Sequence, residues 1–205
     1  MTTDALYTYG VIEREDAEFD VNGVEGVDRA YTVDYRTLSA IVSEIGTVEP
    51  EETDENSRAH DDVLQTVIEE RTVVPMRFGM AFKNEATLKS VLRGARPAFT
   101  RALREVDGAL ELGLKLVERE EATVDREAVR EDVADRLDHR ARSVVENDLF
   151  SDRLVLNRSY LVDRSARERF DDAVAGIEED YDDLIVQYTG PWAPYNFVDI
   201  EIGGQ

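Results

Sequence analysis

Thr72–Phe82, TVVPMRFGMAF, is the stretch from which the rest of the chain is best understood. It is nearly uncharged in a chain with 46 acidic side chains, and its one charged residue is Arg77. The β-branched residues at its start favour a strand. Pro75 places that strand at a sheet edge, a strand start or a bulge, because proline has no backbone donor. In an extended strand Met76 and Phe78 share one face and Arg77 points to the other.

A second apolar stretch near the end of the chain has a similar composition. Gly190–Ile200, GPWAPYNFVDI, combines proline and glycine with large aromatic side chains, including the only tryptophan, Trp192. The first stretch likewise contains a glycine, Gly79, at which the chain is free to bend. We therefore predict that the two segments meet, or flank one cleft.

Composition limits the classes of protein to which the chain can belong. With 205 residues, of which 42% are apolar, it is long enough for one ordinary domain or two small ones. A net charge of −22 predicts self-repulsion that concentrated salt screens, and so indicates a halophilic protein. The same acidity argues against a nucleic-acid partner, because phosphate binding needs clustered lysines and arginines.

The residue types that are absent narrow the function further. The chain has no cysteine, which excludes disulfides, thiol catalysis and cysteine-ligated zinc. No stretch approaches the roughly 20 apolar residues that span a bilayer, and the first residues do not resemble a secretory leader. We therefore expect a soluble, intracellular protein that does not enter a membrane.

The first half of the chain predicts an α+β domain of uncommon topology over residues 1–107. Apolar alternation indicates three strands before residue 46, the last two joined as a hairpin. The helical elements begin after Thr53 or Asp54, after Asn84 and at Pro97, and Gly94 ends the second of them. His60 lies on the apolar face of the first predicted helix. The predicted strands and the first helix comprise residues 5–12, 30–35, 37–45 and 53–71.

The second half predicts a modified ferredoxin-like domain over residues 108–190, followed by a tail, residues 191–205, that packs back on the body. Gly108 precedes a strict alternation of four leucines with other residues, which indicates a strand with one buried and one wet face. The expected order is strand, helix, strand, helix, strand, with one strand missing or displaced. The predicted first helix and the strands comprise residues 125–147, 154–162 and 182–189. The second helix begins with a capping box at Ser165 and Glu168 and has Phe170, Ala173, Val174 and Ile177 inward.

Catalytic, metal-binding and cofactor-binding patterns are absent from the sequence. His60 and His139 are the only histidines, and they fall in different predicted domains. Paired carboxylates are frequent, but with 46 acidic residues a pair carries no information about acid–base chemistry. The sequence therefore predicts no catalytic residue, no metal site and no cofactor, and a protein that is not an enzyme.

The candidate binding residues lie in the two apolar segments. Arg77 is suited to a partner's carboxylate or to a small anion, and a structural salt bridge is the alternative. Trp192 is suited to anchor a partner, because aromatic side chains dominate binding hot spots, and packing of the tail is the alternative. The full candidate set is Pro75, Arg77, Phe78, Gly79, Trp192, Tyr195 and Phe197.

These segments, taken in order along the chain, resemble the gas vesicle protein F/L family (GvpF/GvpL). The matching pieces are LYTYGVI, LSAIV, His60 ahead of an apolar helix face, VVPMRFGMAF, GALELGLKLV and GPWAPYNFV. Met80 departs from the smaller polar residue expected there. The acidic composition resembles that of a haloarchaeal member, of the F type rather than the L type.

The resemblance implies a fold of two α+β domains with a cleft between them, the second a modified ferredoxin fold. It also implies an accessory or minor structural protein of gas vesicle assembly, located in the cytoplasm during assembly and then in the gas vesicle. The implied partners are the small hydrophobic shell protein and other accessory gas vesicle proteins. The alternative function is a ligand-binding regulatory protein with a small-anion site near Arg77.

Overall fold

The computed structural model describes residues 5–200, which fall into two compact units. The first unit comprises residues 5–107 together with 198–200, and the second comprises Gly108–Phe197. The ends of the predicted first domain and of the predicted tail, residues 1–4 and 201–205, lie outside the described residues. Each unit has its own sheet and its own pair of α-helices.

In the described part of the first unit, six strands form one antiparallel sheet. They lie in the order β2-β3-β4-β1-β5, and β6 pairs with β1 as well. Two helices accompany the sheet, one on each face. The elements in chain order are β1 (Ala5–Glu13), β2 (Glu18–Asp20), β3 (Arg29–Tyr35), β4 (Leu38–Ile45), α1 (Asp54–Ile68), β5 (Val74–Pro75), β6 (Ala81–Phe82) and α2 (Glu85–Glu105).

The central strand β1 is buried on both faces, because the two helices pack on opposite sides of it. Successive side chains of a strand point to opposite faces. Leu6 joins an apolar cluster with Leu92 and Phe99 of α2, whereas Tyr7 contacts His60 of α1. The predicted hairpin between β3 and β4 is confirmed, and its turn places Arg36 in the left-handed region at φ 56°.

The sequence predicted two helices here, one that begins after Asn84 and ends at Gly94 and one that begins at Pro97. This prediction is wrong, because α2 is one continuous helix with Pro97 inside it. Its N-cap is Asn84, as predicted. Leu88, Leu92, Phe99 and Leu103 lie on one buried stripe that continues past Gly94 and Pro97. An interior proline costs about 3 kcal/mol in an exposed helix. Burial of the uninterrupted stripe offsets that cost.

The opening segment of the sequence is not one strand, which corrects the prediction that Met76 and Phe78 share a face. It forms β5 and β6, which pair with the two halves of β1. Between them the backbone nitrogen of Met76 donates to the Tyr9 carbonyl, and the carbonyl of Met80 accepts from the Thr8 nitrogen, each over 2.8 Å. Gly79 turns the chain at φ +88°. Residues 76–80 therefore form a loop, here called the β5–β6 loop.

The second unit has the β-α-β-β-α-β order of a ferredoxin-like fold. Its four antiparallel strands lie in the order β10-β7-β9-β8. Leu112, Leu114 and Leu116 of the first strand pack in the apolar cluster that includes residues of both helices. The elements in chain order are β7 (Ala109–Glu118), α3 (Arg126–Leu137), β8 (Ser143–Glu146), β9 (Leu154–Asp163), α4 (Arg167–Asp180) and β10 (Leu184–Trp192).

The strand that the sequence predicted to be missing or displaced is present as β8. The prediction extended the preceding helix to Asn147, but α3 ends at Leu137 and a short 3-10 turn follows. Val144 then pairs with Tyr160 of β9. Adjacent valines favour a strand, because β-branched side chains pack well on a pleated surface.

Two further details of the second unit differ from prediction. The capping box of Ser165 and Glu168 does not form; a 3-10 turn, Arg164–Ala166, precedes α4, and its N-cap Ala166 makes no side-chain cap. The face of β7 predicted to be wet is also partly covered, since Glu111 is 4% exposed. This buried carboxylate binds Asn196, which belongs to one of the candidate segments.

Candidate functional site

The predicted binding residues fall in both units, and each group is described on its own. Pro75 is buried in β5, and Arg77, Phe78 and Gly79 lie in the β5–β6 loop of the first unit. The aromatic candidates lie in residues 192–197 of the second unit, here called the C-terminal aromatic segment, and they are Trp192, Tyr195 and Phe197. The meeting of the two segments stays a prediction.

A buried histidine holds the β5–β6 loop through both of its ring nitrogens. His60 is 2% exposed; its Nε2 lies 3.0 Å from the Met76 carbonyl oxygen, and its Nδ1 lies 2.8 Å from the Tyr7 hydroxyl. A carbonyl oxygen only accepts, so Nε2–H donates to Met76. Burial favours the neutral ring, in which Nδ1 accepts from Tyr7. The hydroxyl oxygen of Tyr7 in turn accepts from the Gly79 nitrogen at 3.3 Å. One hydrogen-bonded chain therefore fixes both sides of the loop.

The pKa values of this chain of groups favour the neutral forms. Burial lowers the pKa of His60 to about 4, opposed by its hydrogen bond with the Met76 carbonyl. Burial raises the pKa of Tyr7, opposed by the hydrogen bond from Gly79. Both groups are uncharged at neutral pH, so the loop is anchored without a buried charge.

The outer side of the β5–β6 loop presents a cation beside an aromatic ring. Phe78 is half-buried, with its ring centroid 5.8 Å from that of Tyr7 and 6.0 Å from that of His60. Arg77 is exposed. Among residues 5–200 it forms no ion pair, so the structural salt bridge considered for it has no support there. A Cβ on Gly79 would meet nothing within 4 Å.

A close backbone approach positions the C-terminal aromatic segment against β7. The Gly190–Pro191 peptide bond is cis, and Gly190 has φ +111°. A Cβ at Gly190 would lie 2.8 Å from the Glu111 carbonyl oxygen, so only glycine fits. Trp192, which pairs with Glu111, is 38% exposed, and its Nε1 donates to the Thr189 hydroxyl over 3.2 Å.

The rest of the C-terminal aromatic segment is anchored by a carboxylate. The backbone nitrogen of Asn196 donates to Glu111 over 2.9 Å, and the side-chain amide of Asn196 donates to the other carboxylate oxygen. That amide also donates to the Ser159 hydroxyl over 3.1 Å. Tyr195 and Phe197 are half-buried around this anchor in a 3-10 turn. Packing of the chain end therefore accounts for part of their placement, as the alternative proposed.

These groups line an open cavity of about 310 Å³ on the face of the second sheet that carries Glu111. Its lining is rich in amides and hydroxyls, and it contains one lysine, Lys115, whose ammonium lies 5.1 Å from the Phe150 ring centroid. No pattern in the sequence indicates this site, because Glu111 and Lys115 have the spacing of solvated residues in an alternating strand. The side chains that line the cavity can hydrogen-bond to polar groups, but they do not place a nucleophile beside a base.

Within residues 5–200, no group of three or more histidine, aspartate or glutamate side chains is arranged to hold a metal ion. No helix of that part of the chain is long and apolar enough to cross a membrane. His139, the second histidine, is exposed and contacts Arg140.

Comparison with known sequences associates the chain with one family. The family model described as gas vesicle synthesis protein GvpL/GvpF matches residues 5–126 and 118–199. Gas vesicle protein F of Haloferax mediterranei is 59% identical, over 98% of this chain and 96% of that protein. Gas vesicle protein F1 of Halobacterium salinarum is 56% identical, over 99% of this chain and 97% of that protein.

Comparison with solved structures supports the same fold at low sequence identity. The crystal structure of gas vesicle protein GvpF from Anabaena sp. superposes with a TM-score of 0.85, at 19% identity, over 97% of this chain and 99% of that chain. The structure of GvpF from Microcystis aeruginosa gives a TM-score of 0.84, also at 19% identity, over 94% and 98%. These likenesses establish the α+β fold with its two sheets.

Proposed function

Because the chain belongs to the gas vesicle synthesis protein GvpL/GvpF family, we propose that it is an accessory or minor structural protein of gas vesicle assembly. In this role it binds the small hydrophobic shell protein and other gas vesicle proteins. It acts in the cytoplasm during assembly and then resides in the gas vesicle. The family is named for gas vesicle synthesis and not for a reaction, which is consistent with a role that is not enzymatic.

The observation that carries the proposal is the construction of the β5–β6 loop. Hydrogen bonds with His60 and Tyr7 hold the loop from inside, while Arg77 stays exposed and Phe78 stays half-exposed beside it. A preorganised loop loses little conformational entropy when a partner binds. Arginine and aromatic side chains are the residue types that dominate binding hot spots. The loop is therefore suited to recognise a protein surface.

The test combines a binding measurement with gas vesicle formation. The purified chain and its Arg77→Ala variant are each offered, in high salt, to the shell protein and to every other gas vesicle protein. Arg36→Ala is the matched control, because Arg36 is another exposed arginine of the first unit, in the β3–β4 turn. We expect Arg77→Ala to weaken retention of at least one component without lowering the melting temperature, and Arg36→Ala to bind normally.

Gene replacement in a gas-vesicle-forming host tests the role itself. Deleting the gene should abolish or deform the vesicles, and the Arg77→Ala allele should restore them less well than the wild-type allele. Normal vesicles in the deletion strain would exclude the role. An Arg77→Ala protein that unfolds would show that Arg77 is structural.

The alternative function, regulation by a small anion near Arg77, is favoured by one observation only. Arg77 is exposed and has no ion pair among the described residues, so its guanidinium is available to an anion. A ligand that binds only the folded chain raises its stability by RT ln(1 + [L]/Kd). A panel of phosphate and carboxylate metabolites should then raise the melting temperature of the wild type but not of Arg77→Ala. No shift with any compound rejects the alternative.

A further inference from the structure

Helix α2 carries a concentration of positive charge that the acidic composition of the chain does not predict. Four arginines, here called the α2 arginine face, occur between its middle and its C-terminal end: Arg93, Arg96, Arg101 and Arg104. All four are exposed. Between Glu85 and Glu105, which bound the helix, no acidic residue occurs. In a chain of net charge −22 this is a local reversal of sign.

Helical spacing brings three of these side chains together on the exposed surface of α2. Arg96 and Arg104 lie three and eleven residues after Arg93, and such spacings place side chains on one face of a helix. The buried stripe of α2 packs on the sheet, and Arg96 is exposed at its border. From Arg93 to Arg104 the row is about 16 Å long, at a rise of about 1.5 Å per residue.

Within the part of the chain that the structure describes, three of these four arginines lack the carboxylate partners that other arginines have. Among the described residues, Arg93, Arg96 and Arg104 form no ion pair, and Arg93 donates only to the Ser90 hydroxyl over 3.1 Å. Arg101 approaches Glu105 at 3.9 Å, but the two side chains are 72% and 60% exposed, and such a pair contributes little.

Two arginines of the second unit, in contrast, form ion pairs with two carboxylates each. Arg136 binds both Asp132 and Asp180, over 2.9 and 2.6 Å, and Arg158 binds Asp138 and Glu146. Four guanidinium groups on one face repel each other, and an acidic surface against them would remove that repulsion.

The surface of this face is shaped as well as charged. An open depression of about 340 Å³ lies along it, lined by Arg96, Pro97, Thr100, Arg101, Arg104 and Glu105. Pro97 has no backbone N–H to donate to the carbonyl of Arg93, so this carbonyl lacks its helical hydrogen bond. A donor from a docked segment would satisfy it. Guanidinium forks also bind carboxylates in a bidentate manner that lysine cannot reproduce.

We propose that the α2 arginine face binds a helical segment of a partner protein whose exposed side carries glutamate or aspartate at helical spacing. A segment of about three turns matches the length of the row. Direct guanidinium–carboxylate contacts persist in concentrated salt, where the Debye length is about 3 Å and longer-range attraction is screened. A nucleic acid fits less well, because its phosphates would extend beyond this short row over the acidic remainder of the molecule. The proposal does not depend on a role in gas vesicles.

The test measures binding of a defined peptide in about 1 M KCl, where close contacts dominate. The probe is a fluorescein-labelled helical peptide of about 18 residues, long enough to be helical, with glutamates every fourth residue on one face. The variant is Arg93→Gln/Arg96→Gln/Arg104→Gln. The matched control is Arg14→Gln/Arg36→Gln/Arg169→Gln, which removes three exposed arginines elsewhere and gives the same net charge. Thermal melting checks that both triple variants are folded.

We expect fluorescence anisotropy to show that the first triple variant binds the peptide at least about tenfold more weakly than the wild type, and the control within about twofold of it. Equal weakening by both variants would overturn the proposal, since only net charge would then matter. Equal binding of a peptide with the same composition but scattered glutamates would also overturn it.

Two further measurements separate this partner from other occupants. A single-stranded DNA of about 18 nucleotides should compete poorly with the peptide; stronger binding of the DNA would identify a nucleic-acid surface and reject the proposal. Sedimentation equilibrium should give the same mass for the wild type and for the arginine variant. A loss of self-association in the variant would identify an interface between copies of this chain, which also rejects the proposal.

Discussion

The β5–β6 loop and the C-terminal aromatic segment are both held by one buried polar side chain, but the two side chains differ in chemistry. His60 holds the loop as a neutral imidazole, which donates to Met76 and accepts from Tyr7. Glu111 holds the aromatic segment by accepting from the backbone and the amide of Asn196. A surface can therefore be fixed from beneath by either kind of group. The two kinds respond differently to substitution and to pH.

The largest expected effect is the loss of the histidine anchor. His60→Leu removes both hydrogen bonds and leaves the Met76 carbonyl and the Tyr7 hydroxyl buried without their partner, at about 1–3 kcal/mol each. We expect the free energy of unfolding to fall by about 3 kcal/mol, measured by chemical denaturation. The control is Thr66→Leu, an exposed position on the same helix, which should change stability by less than about 1 kcal/mol. Equal stability of His60→Leu and wild type would show that the loop does not depend on this anchor.

The second-largest expected effect is a pH dependence of the folding stability that arises from His60. Its pKa is about 4 in the folded chain and 6.5 in the reference state, so the unfolded chain binds the additional proton between these pH values. The contribution of His60 to the free energy of unfolding is therefore fully present above pH 6.5. It is lost as the pH falls towards 4, by about 3 kcal/mol in total. Burial of the ring is the main cause.

His60→Gln isolates this contribution, because glutamine can donate and accept but does not titrate. Between pH 7 and 5, where most carboxylates remain ionised, the wild type should lose about 2 kcal/mol more than the variant. Parallel stability curves for the two proteins would contradict a buried neutral imidazole. The measurement is denaturant unfolding at each pH, in constant salt.

Both anchors also show how far the sequence predicts the structure. The helical spacing of Val63, Leu64 and Val67 predicted α1 and placed His60 on its apolar side, because helix periodicity is a local property. Glu111 alternates with leucines and was predicted to face water. Its burial depends on Asn196, 85 residues further along the chain, and no local pattern reports such a contact.

The missed elements have the same cause. Strand β8 has four residues and is defined by its pairing with β9, so its neighbouring helix was predicted to run through it. Pro97 and Gly94 are ordinary helix breakers, but a buried stripe shared with the sheet keeps α2 continuous. The arginines of α2 were each visible in the sequence. Their common face became apparent only when the two predicted helices proved to be one.

A smaller effect is expected from weakening the second anchor. In Glu111→Gln one accepting oxygen is replaced by an NH₂ group, which then faces the donors of Asn196, and the lost hydrogen bond costs about 1–2 kcal/mol. Trp192 pairs with Glu111 across the sheet and is the only tryptophan, so its fluorescence reports the change directly. We expect a shifted emission maximum and a lower unfolding midpoint.

Glu120→Gln is the control for that experiment, because its side chain is 89% exposed and it removes the same charge. It should leave both the emission maximum and the midpoint nearly unchanged. If Glu111→Gln behaves in the same way as Glu120→Gln, the carboxylate does not hold the aromatic segment. The histidine anchor would then be the only one of the two that determines the placement of a candidate segment.

The smallest expected effect is the change in stability when Gly79 of the β5–β6 loop is replaced by alanine. Comparison with Gly94→Ala distinguishes strain of the backbone from steric crowding. An alanine Cβ would meet nothing within 4 Å at Gly79 or at Gly94, so space alone predicts that both substitutions are tolerated. Gly79 has φ +88°, however, where an L side chain is strained, whereas Gly94 lies inside α2. We expect Gly79→Ala to destabilise the chain by about 1 kcal/mol and Gly94→Ala to stabilise it by about 0.5–1 kcal/mol. The same substitution should therefore have opposite signs in denaturant unfolding. A stabilising Gly79→Ala would mean that the hydrogen bonds of the loop with Tyr7 and His60 do not impose the turn.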